Sequence, residues 1–258
     1  MKRMNLVGWV MITAMAALTA RAELPQLFAP GSIVLFQGDS ITHGGRMGDM
    51  NHYLGHGYQA EIAMRYLAGF PKAGFQFGNR GVSGNTSDDL AGRWQKDAFP
   101  YTANENGYQG VFGNASKTLV PNVVSILIGV NDLGRRKVSV ADYEKNLRHM
   151  ITAAAAANPK VKIVLCEPFH PAVKAGDPIL ARAEVVKRLA DEYNLAFVPF
   201  QRFFSEELIK LNPNWKYWIW DAVHPTYQAH AKMADFWIET VAEEFARGRG
   251  TLRNGGKK

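Results

Sequence analysis

Cysteine is nearly absent from this chain. Cys166 is the only one among 258 residues, which excludes a disulfide framework and any zinc site built on several thiolates. It lies in the run Lys162-Ile163-Val164-Leu165-Cys166-Glu167, where it reads as a small buried hydrophobe rather than a nucleophile. No G-x-x-x-x-G-K-[ST] phosphate loop occurs anywhere. Long apolar runs are lacking too. The most extended, 6–18, falls short of the ~20 residues needed to span a bilayer. It follows Lys2 and Arg3 and precedes Ala20-Arg21-Ala22, the three parts of a secretory signal peptide. Cleavage before Glu23 is therefore expected, and no cysteine stands there for lipidation. The expected product is secreted or periplasmic, with no stable membrane anchor.

The body also lacks an excess of positive charge. The whole chain carries +7, but three of its cations belong to residues 1–22 and five to the tail from Arg247 onward, leaving 23–246 at about −1. A nucleic-acid binder needs a basic face on its folded part, so no nucleic-acid partner is expected. Residues 248–258, rich in glycine and basic residues, have no apolar periodicity and are expected to be disordered. Such a tail could attach to acidic polymers.

What is present is an alternation. Apolar runs at 33–36, 75–77, 123–128, 161–165 and 195–200 read as strands. Between them, 58–67, a segment capped by Thr86 or Ser87, 141–157 and 179–193 read as helices, and a last helix opens at His224-Pro225. Strands alternating with helices imply an α/β fold whose parallel sheet is covered on both faces, in a single domain over 23–247. In such sheets the chemistry gathers beyond the carboxyl ends of the strands.

The first strand ends in Gly38-Asp39-Ser40, a carboxylate and a hydroxyl where an ordinary turn would suffice. A serine nucleophile needs a base, and the base needs a group to hold it. Asp221-Ala222-Val223-His224 supplies both, with the carboxylate three residues before the imidazole. Gly129-Val130-Asn131-Asp132 places an amide at the end of the most apolar strand, and Gly84 follows the second strand. The Gly84 N–H, the Asn131 amide and the Ser40 N–H would together form an oxyanion hole.

Competing motifs are weaker. Gly55-His56-Gly57-Tyr58-Gln59-Ala60 matches the dinucleotide fingerprint, but no strand precedes it. Ser83 in Gly81-Val82-Ser83-Gly84-Asn85 misses the nucleophile elbow because Asn85 stands in place of the last glycine. His52 and His56 are spaced four apart, yet the glycines around them argue against a helix and for a polar loop.

Ser40 in G-D-S, Gly84, Asn131 in G-x-N-D, and Asp221 with His224 in D-x-x-H-P occur in one order. In that order and those contexts the set resembles the SGNH, or GDSL-type, hydrolases, from about Phe36 to Pro225. The resemblance implies a flavodoxin-like three-layer αβα sandwich and ester hydrolysis without metal or cofactor. It makes Ser40 the nucleophile, His224 the base and Asp221 its orienter, with Ser40, Gly84 and Asn131 as the oxyanion hole. Among such enzymes are carbohydrate acetylesterases, lipases, lysophospholipases and arylesterases. The polar loop 43–56 and the aromatics Trp215, Tyr217, Trp218 and Trp220 lean toward an O-acetylated carbohydrate substrate. Asp39, His43, Arg46, Glu167, Trp218 and Trp220 are candidates to contact it. A lipid or aryl ester is the alternative within the enzyme class, and a glycan-binding protein without catalysis the alternative outside it.

Overall fold

The computed structural model describes residues 23–48, 50–99, 101–104, 116–134 and 136–252, with the backbone alone for 101–104 and 116–118. The expected signal peptide, 1–22, and the tail beyond Leu252 lie outside the described residues.

Five strands form one parallel sheet: β1 (Ile33–Gly38), β2 (Gln76–Asn79), β5 (Val123–Leu127), β6 (Lys162–Cys166) and β7 (Ala196–Val198), in the order β2-β1-β5-β6-β7. The hairpin β3 (Tyr101–Asn104) and β4 (Ser116–Leu119) stands apart from it. The apolar runs are continuous because each strand is buried on both faces. Val34, Phe36, Val123, Leu127, Val164 and Val198 point into one core with helices α2 (Tyr58–Gly69) and α8 (Tyr227–Ala246). Leu35, Val124, Ile126, Ile163 and Leu165 point into the other, beneath α3 (Ser87–Asp97), α4 (Val140–Ala157) and α5 (Pro178–Tyr193). This is the expected three-layer αβα sandwich. Ser125 is the polar exception in the middle strand, and its hydroxyl accepts the indole N–H of Trp237 at 3.1 Å. Cys166 is buried, and burial pushes its thiol up to about 12, as suits a packing residue.

Local chemistry sets the boundaries. Thr86 and Asp89 form a reciprocal capping box at the start of α3. Ser139 caps α4, while Asp177 with Pro178 opens α5. Three expectations shift. Pro199 has no N–H to extend the ladder, so β7 stops at Val198 and Phe200 begins a helical segment instead. That segment is α-helical over Phe200–Arg202 (α6), π-type over Phe203–Leu208 and α-helical over Ile209–Leu211 (α7). The last helix starts at Tyr227 under a Thr226 cap, because Pro225 is engaged in a bridge with Ile219.

The third shift concerns the tail. Gly248–Leu252 is packed, not disordered. The Gly250 carbonyl accepts the Ile163 N–H at 2.7 Å, its N–H donates to Asn194 O at 2.8 Å, and Arg249 Nε donates to Leu195 O at 2.8 Å. The segment fills the edge of β6 that the shorter β7 leaves unpaired, and an unpaired buried backbone group is costly. Glycine is needed at 250, where φ is +116° and a Cβ would lie 2.9 Å from the Phe245 ring.

Consecutive strands run outward from β1 in one direction to β2 and in the other from β5 to β7. The crevice beyond the carboxyl ends of β1 and β5 is thus the topological switch point, where open α/β sheets bind their ligands. Ser40 and Asn131 follow those two strands.

Candidate active site

The end of β1 is shaped by close approach. A Cβ on Gly38 would sit 2.3 Å from Leu127 O and 2.4 Å from Thr42 Oγ1, so only glycine lets the strand turn there. Asp39 then caps the four-residue helix α1 (Ser40–His43), accepting the Ile41 N–H at 3.0 Å. Ser40 is the first residue of that helix. Asn79, at the end of β2, braces the turn from behind: its amide donates to the carbonyls of Thr42 (2.8 Å) and Leu54 (2.7 Å).

Across the crevice, the segment before α8 delivers the imidazole. His224 Nε2 lies 2.8 Å from Ser40 Oγ, and Nδ1 lies 2.6 Å from Asp221 Oδ2. The other carboxylate oxygen accepts the backbone N–H groups of Val223 (3.1 Å) and His224 (2.8 Å). Burial pushes the Asp221 carboxyl upward, but these donors outweigh it and hold the group below the usual aspartate value. An ionised carboxylate only accepts, so it fixes the ring proton on Nδ1 and leaves Nε2 to accept from the serine hydroxyl. Ala222 adopts φ +75° within this turn, a left-handed conformation uncommon outside glycine. The Trp220 ring stacks on His224, centroids 5.9 Å apart, while remaining 68% exposed.

The donors face the same crevice from the other loops. Gly84 has φ +78° with open space where a Cβ would stand. Among the described residues its N–H has no acceptor. Asn131 begins a short 3-10 turn after β5, and its Nδ2 donates to Asn85 O at 3.0 Å. That bond uses one amide hydrogen and orients the second. Arg93 supports this loop by donating to Asn85 Oδ1 (2.7 Å) and to Gly38 O (3.1 Å). Asp132, fully buried, accepts the Ser87 N–H at 2.7 Å and ties the start of α3 to the end of β5. A hydroxyl bonded to a carboxylate-oriented imidazole, next to preset amide donors, is an arrangement that can attack an acyl carbonyl and hold the resulting oxyanion.

The six expected substrate contacts divide. Trp220 is exposed beside His224, whereas Trp218 is 4% exposed and donates its indole N–H to Asn212 O at 3.0 Å. It belongs to the core. Asp39 is also enclosed, 1% exposed, and burial pushes it up to about 7. Glu167 faces inward to accept the Gln201 N–H at 3.0 Å, and burial raises it likewise to about 7. These three are structural supports and present nothing to a ligand. His43 and Arg46 remain at the rim. His43 Nδ1 accepts the Gly45 N–H at 3.2 Å, and burial, then Arg46 and His56, lower its pKa. Arg46 Nε donates to Gly81 O at 3.1 Å.

Ser83 is exposed, and among the described residues the serine bonded to an imidazole is Ser40, not Ser83. His52 and His56 lie outside any helix. Gly57 merely caps α2 without a preceding strand. Among the described residues no cluster of three or more His, Cys, Asp or Glu is arranged to hold a metal ion, and no helix is long and apolar enough to cross a membrane. Sequence reasoning missed Asn79 and Arg93. Each sits within three residues of a strand end or on the helix following the site loop, which is the one signal that could have singled them out.

A family model, the GDSL-like lipase/acylhydrolase family, matches residues 36–232. An acetylxylan esterase of Geobacillus stearothermophilus is 33% identical over 237 residues, 85% of this chain and 98% of that enzyme. The solved structure of Axe2, an acetylxylan esterase from the same organism, is similar with a TM-score of 0.68 at 30% identity, over 88% of this chain and 99% of that one. Solved forms of Axe2 include catalytic mutants at a serine and at a histidine. LAE5, an alpha/beta hydrolase from the metagenome of Lake Arreo, Spain, gives a TM-score of 0.68 at 27% identity, over 84% of this chain and 98% of its own.

Proposed function

The chain belongs to the GDSL-like lipase/acylhydrolase family and is a carboxylic ester hydrolase, and from that premise we propose that it is an exported esterase removing O-acetyl groups from carbohydrate through an acetyl-enzyme. The observation that carries the mechanism is the continuous contact from Asp221 through His224 to Ser40, 2.6 Å and 2.8 Å at its two joints.

Ser40 Oγ attacks the acetyl carbonyl carbon while its proton passes to His224 Nε2. The carbonyl oxygen becomes an oxyanion, held by the backbone N–H groups of Ser40 and Gly84 and the free amide hydrogen of Asn131. The imidazolium, stabilised by Asp221, then protonates the sugar oxygen as the ester C–O bond breaks, leaving acetyl-Ser40 and a free sugar hydroxyl. Water repeats the sequence in the second half: His224 takes its proton, the oxygen attacks the acetyl carbon, and Ser40 leaves with the proton returned. Acetate departs.

Carbohydrate as the alcohol is supported by the acetylxylan esterase relatives and by Trp220, whose exposed face beside the base suits stacking on a sugar ring. Export is supported by the composition of residues 1–22. The test is hydrolysis of p-nitrophenyl esters from acetate to long acyl chains and of acetylated xylooligosaccharides, with wild type and Ser40→Ala. The expected result is preference for acetate, release of acetate from the glycan, and a loss of about 10⁴-fold or more in the variant. A preference for long chains would move the substrate to lipids. Glycan binding with no turnover would remove the esterase mechanism.

A further inference from the structure

The start of α2 borrows its cap from another helix. Gly57 offers no side chain there, and the Tyr58 N–H donates instead to Nδ1 of His230, 3.1 Å away on α8. The first N–H groups of a helix have no acceptor within it, so the imidazole supplies one. Acceptance at Nδ1 places the ring proton on Nε2. His230 is 4% exposed. Burial first, then His56 and His224, bring its pKa down to about 3, so the ring is a neutral acceptor across the neutral range.

The position of this bond matters more than its presence. The Ser40 carbonyl accepts from Gly44 N at 3.0 Å, and the Gly44 carbonyl accepts from His56 N at 2.8 Å, two residues before Tyr58. From Tyr58 the link crosses to His230, whose own N–H donates to Thr226 O at 2.9 Å, two residues after His224. His224 Nε2 then returns to Ser40 Oγ at 2.8 Å. The circuit has two side-chain crossings, His224–Ser40 and His230–Tyr58. A second strut between the same helices, Arg65 to Asp235, lies farther along both and is partly exposed.

We propose that His230 is a positioning residue for the esterase reaction: its Nδ1 acceptor fixes the start of α2 against the start of α8 and thereby sets the approach of His224 to Ser40. The inference rests on these two being the reacting pair. Displacing a reacting group by about 1 Å can lower the rate by about 10²-fold, so a small rotation of either helix start is enough to matter.

The test compares kcat and KM for p-nitrophenyl acetate in four variants, with a fifth held as a replacement, alongside thermal melts. In His230→Leu, which keeps the volume and loses the acceptor, kcat falls about 10-fold or more with KM within about two-fold. In His230→Asn, whose amide oxygen can occupy the Nδ1 position, most of kcat returns. Asp235→Ala removes the outer strut and lowers Tm while kcat stays at the wild-type value. Should His230→Leu fail to fold, His230→Gln, which moves the acceptor to the Nε2 position, takes its place with the same expectation. Full kcat in the leucine or glutamine variant overturns the proposal. So does an asparagine variant as slow as the leucine one, or an Asp235→Ala variant slowed as much. Ser40→Ala separates the two layers: if it is inactive while His230→Leu is unaffected, only the positioning role falls. If Ser40→Ala still turns over, the reacting pair and the positioning role fall together.

Discussion

At the amino ends of the strands, loop side chains close the backbone groups. Asn122 accepts the Ile33 N–H at 2.8 Å, Asn158 donates to Pro121 O at 2.9 Å, and Asn194 donates to Gly248 O at 3.1 Å. Gly250 completes the ladder of β6, and Arg249 joins Leu195 O, Asp191 and Glu244. At the carboxyl ends of the same sheet the pattern is different. Gly84 holds its N–H open, Asn131 keeps one amide hydrogen, and Ala222 and Gly129 adopt φ of +75° and +133°. Both ends are built on identical strands, so the sheet alone dictates neither. One end uses asparagine to close the backbone, and the other uses it to present a donor. The proposed site lies where pairing is left incomplete, supported by Asn79 and Arg93, whose side chains are bonded to the carbonyls and side chains around them.

The largest separation between the two ends should come from Asn131→Ala. On the proposed mechanism this removes one oxyanion donor and lowers kcat by about 10²–10³-fold with little change in Tm, since only the single bond to Asn85 O is lost. Steady-state kinetics with a melt of the same sample measures both. An Asn131→Ala variant that is destabilised yet fully active would erase the distinction between the ends.

Arg249→Ala probes the opposite end. Its loss unties Leu195 O and leaves Asp191 and the largely buried Glu244 with fewer partners. The expected cost is about 1–3 kcal/mol, read as a fall in denaturant midpoint, with kcat unchanged. A loss of activity without a loss of stability would show that the far end communicates with the site.

The smallest effect sharpens the comparison from within the site end. Glu167 lies beyond the carboxyl end of β6 but behaves as the amino ends do, turned inward onto Gln201 N–H. Burial raises its pKa from 4.5 to about 7. Between those values the native state binds more protons than the unfolded chain, so this group makes stability fall as pH rises through that window. In Glu167→Gln the amide oxygen keeps the acceptor and has no proton to lose. Its Tm should therefore decline less between pH 5 and pH 8 than that of the wild type, and an unchanged decline would reject the assignment.

The layers and the strand order's consequence were legible in the sequence because the strands are apolar on both faces and the helices α3, α4, α5 and α8 carry their own caps. The Ser40, Gly84, Asn131 and Asp221–His224 blocks were legible because four motifs had to occur in order. Other features had no such redundancy. Trp218 and Trp220 are two residues apart in a segment without period, and only the fold shows that one is buried and the other stacks on the base. Gly248–Leu252 carries glycines and arginines that read as a solvated tail, yet its anchoring partners, Asn194 and Ile163, are far away in sequence. The hairpin β3–β4 has strands of four residues, too short for alternation to register. His230 reads as one more polar residue on the last helix, since its partner is 172 positions distant.

The docking of Gly248–Leu252 against the amino end of β6 has a practical side. Leu252 is thereby held near the amino ends of the strands, whereas Ser40 follows the carboxyl end of β1. A fusion partner, an affinity handle or a covalent link to a bead placed after Leu252 would leave the approach to Ser40 clear. Shortening the chain to end before Gly250 would instead strip Ile163 of its acceptor, so the useful attachment point and the limit of safe truncation are only a few residues apart.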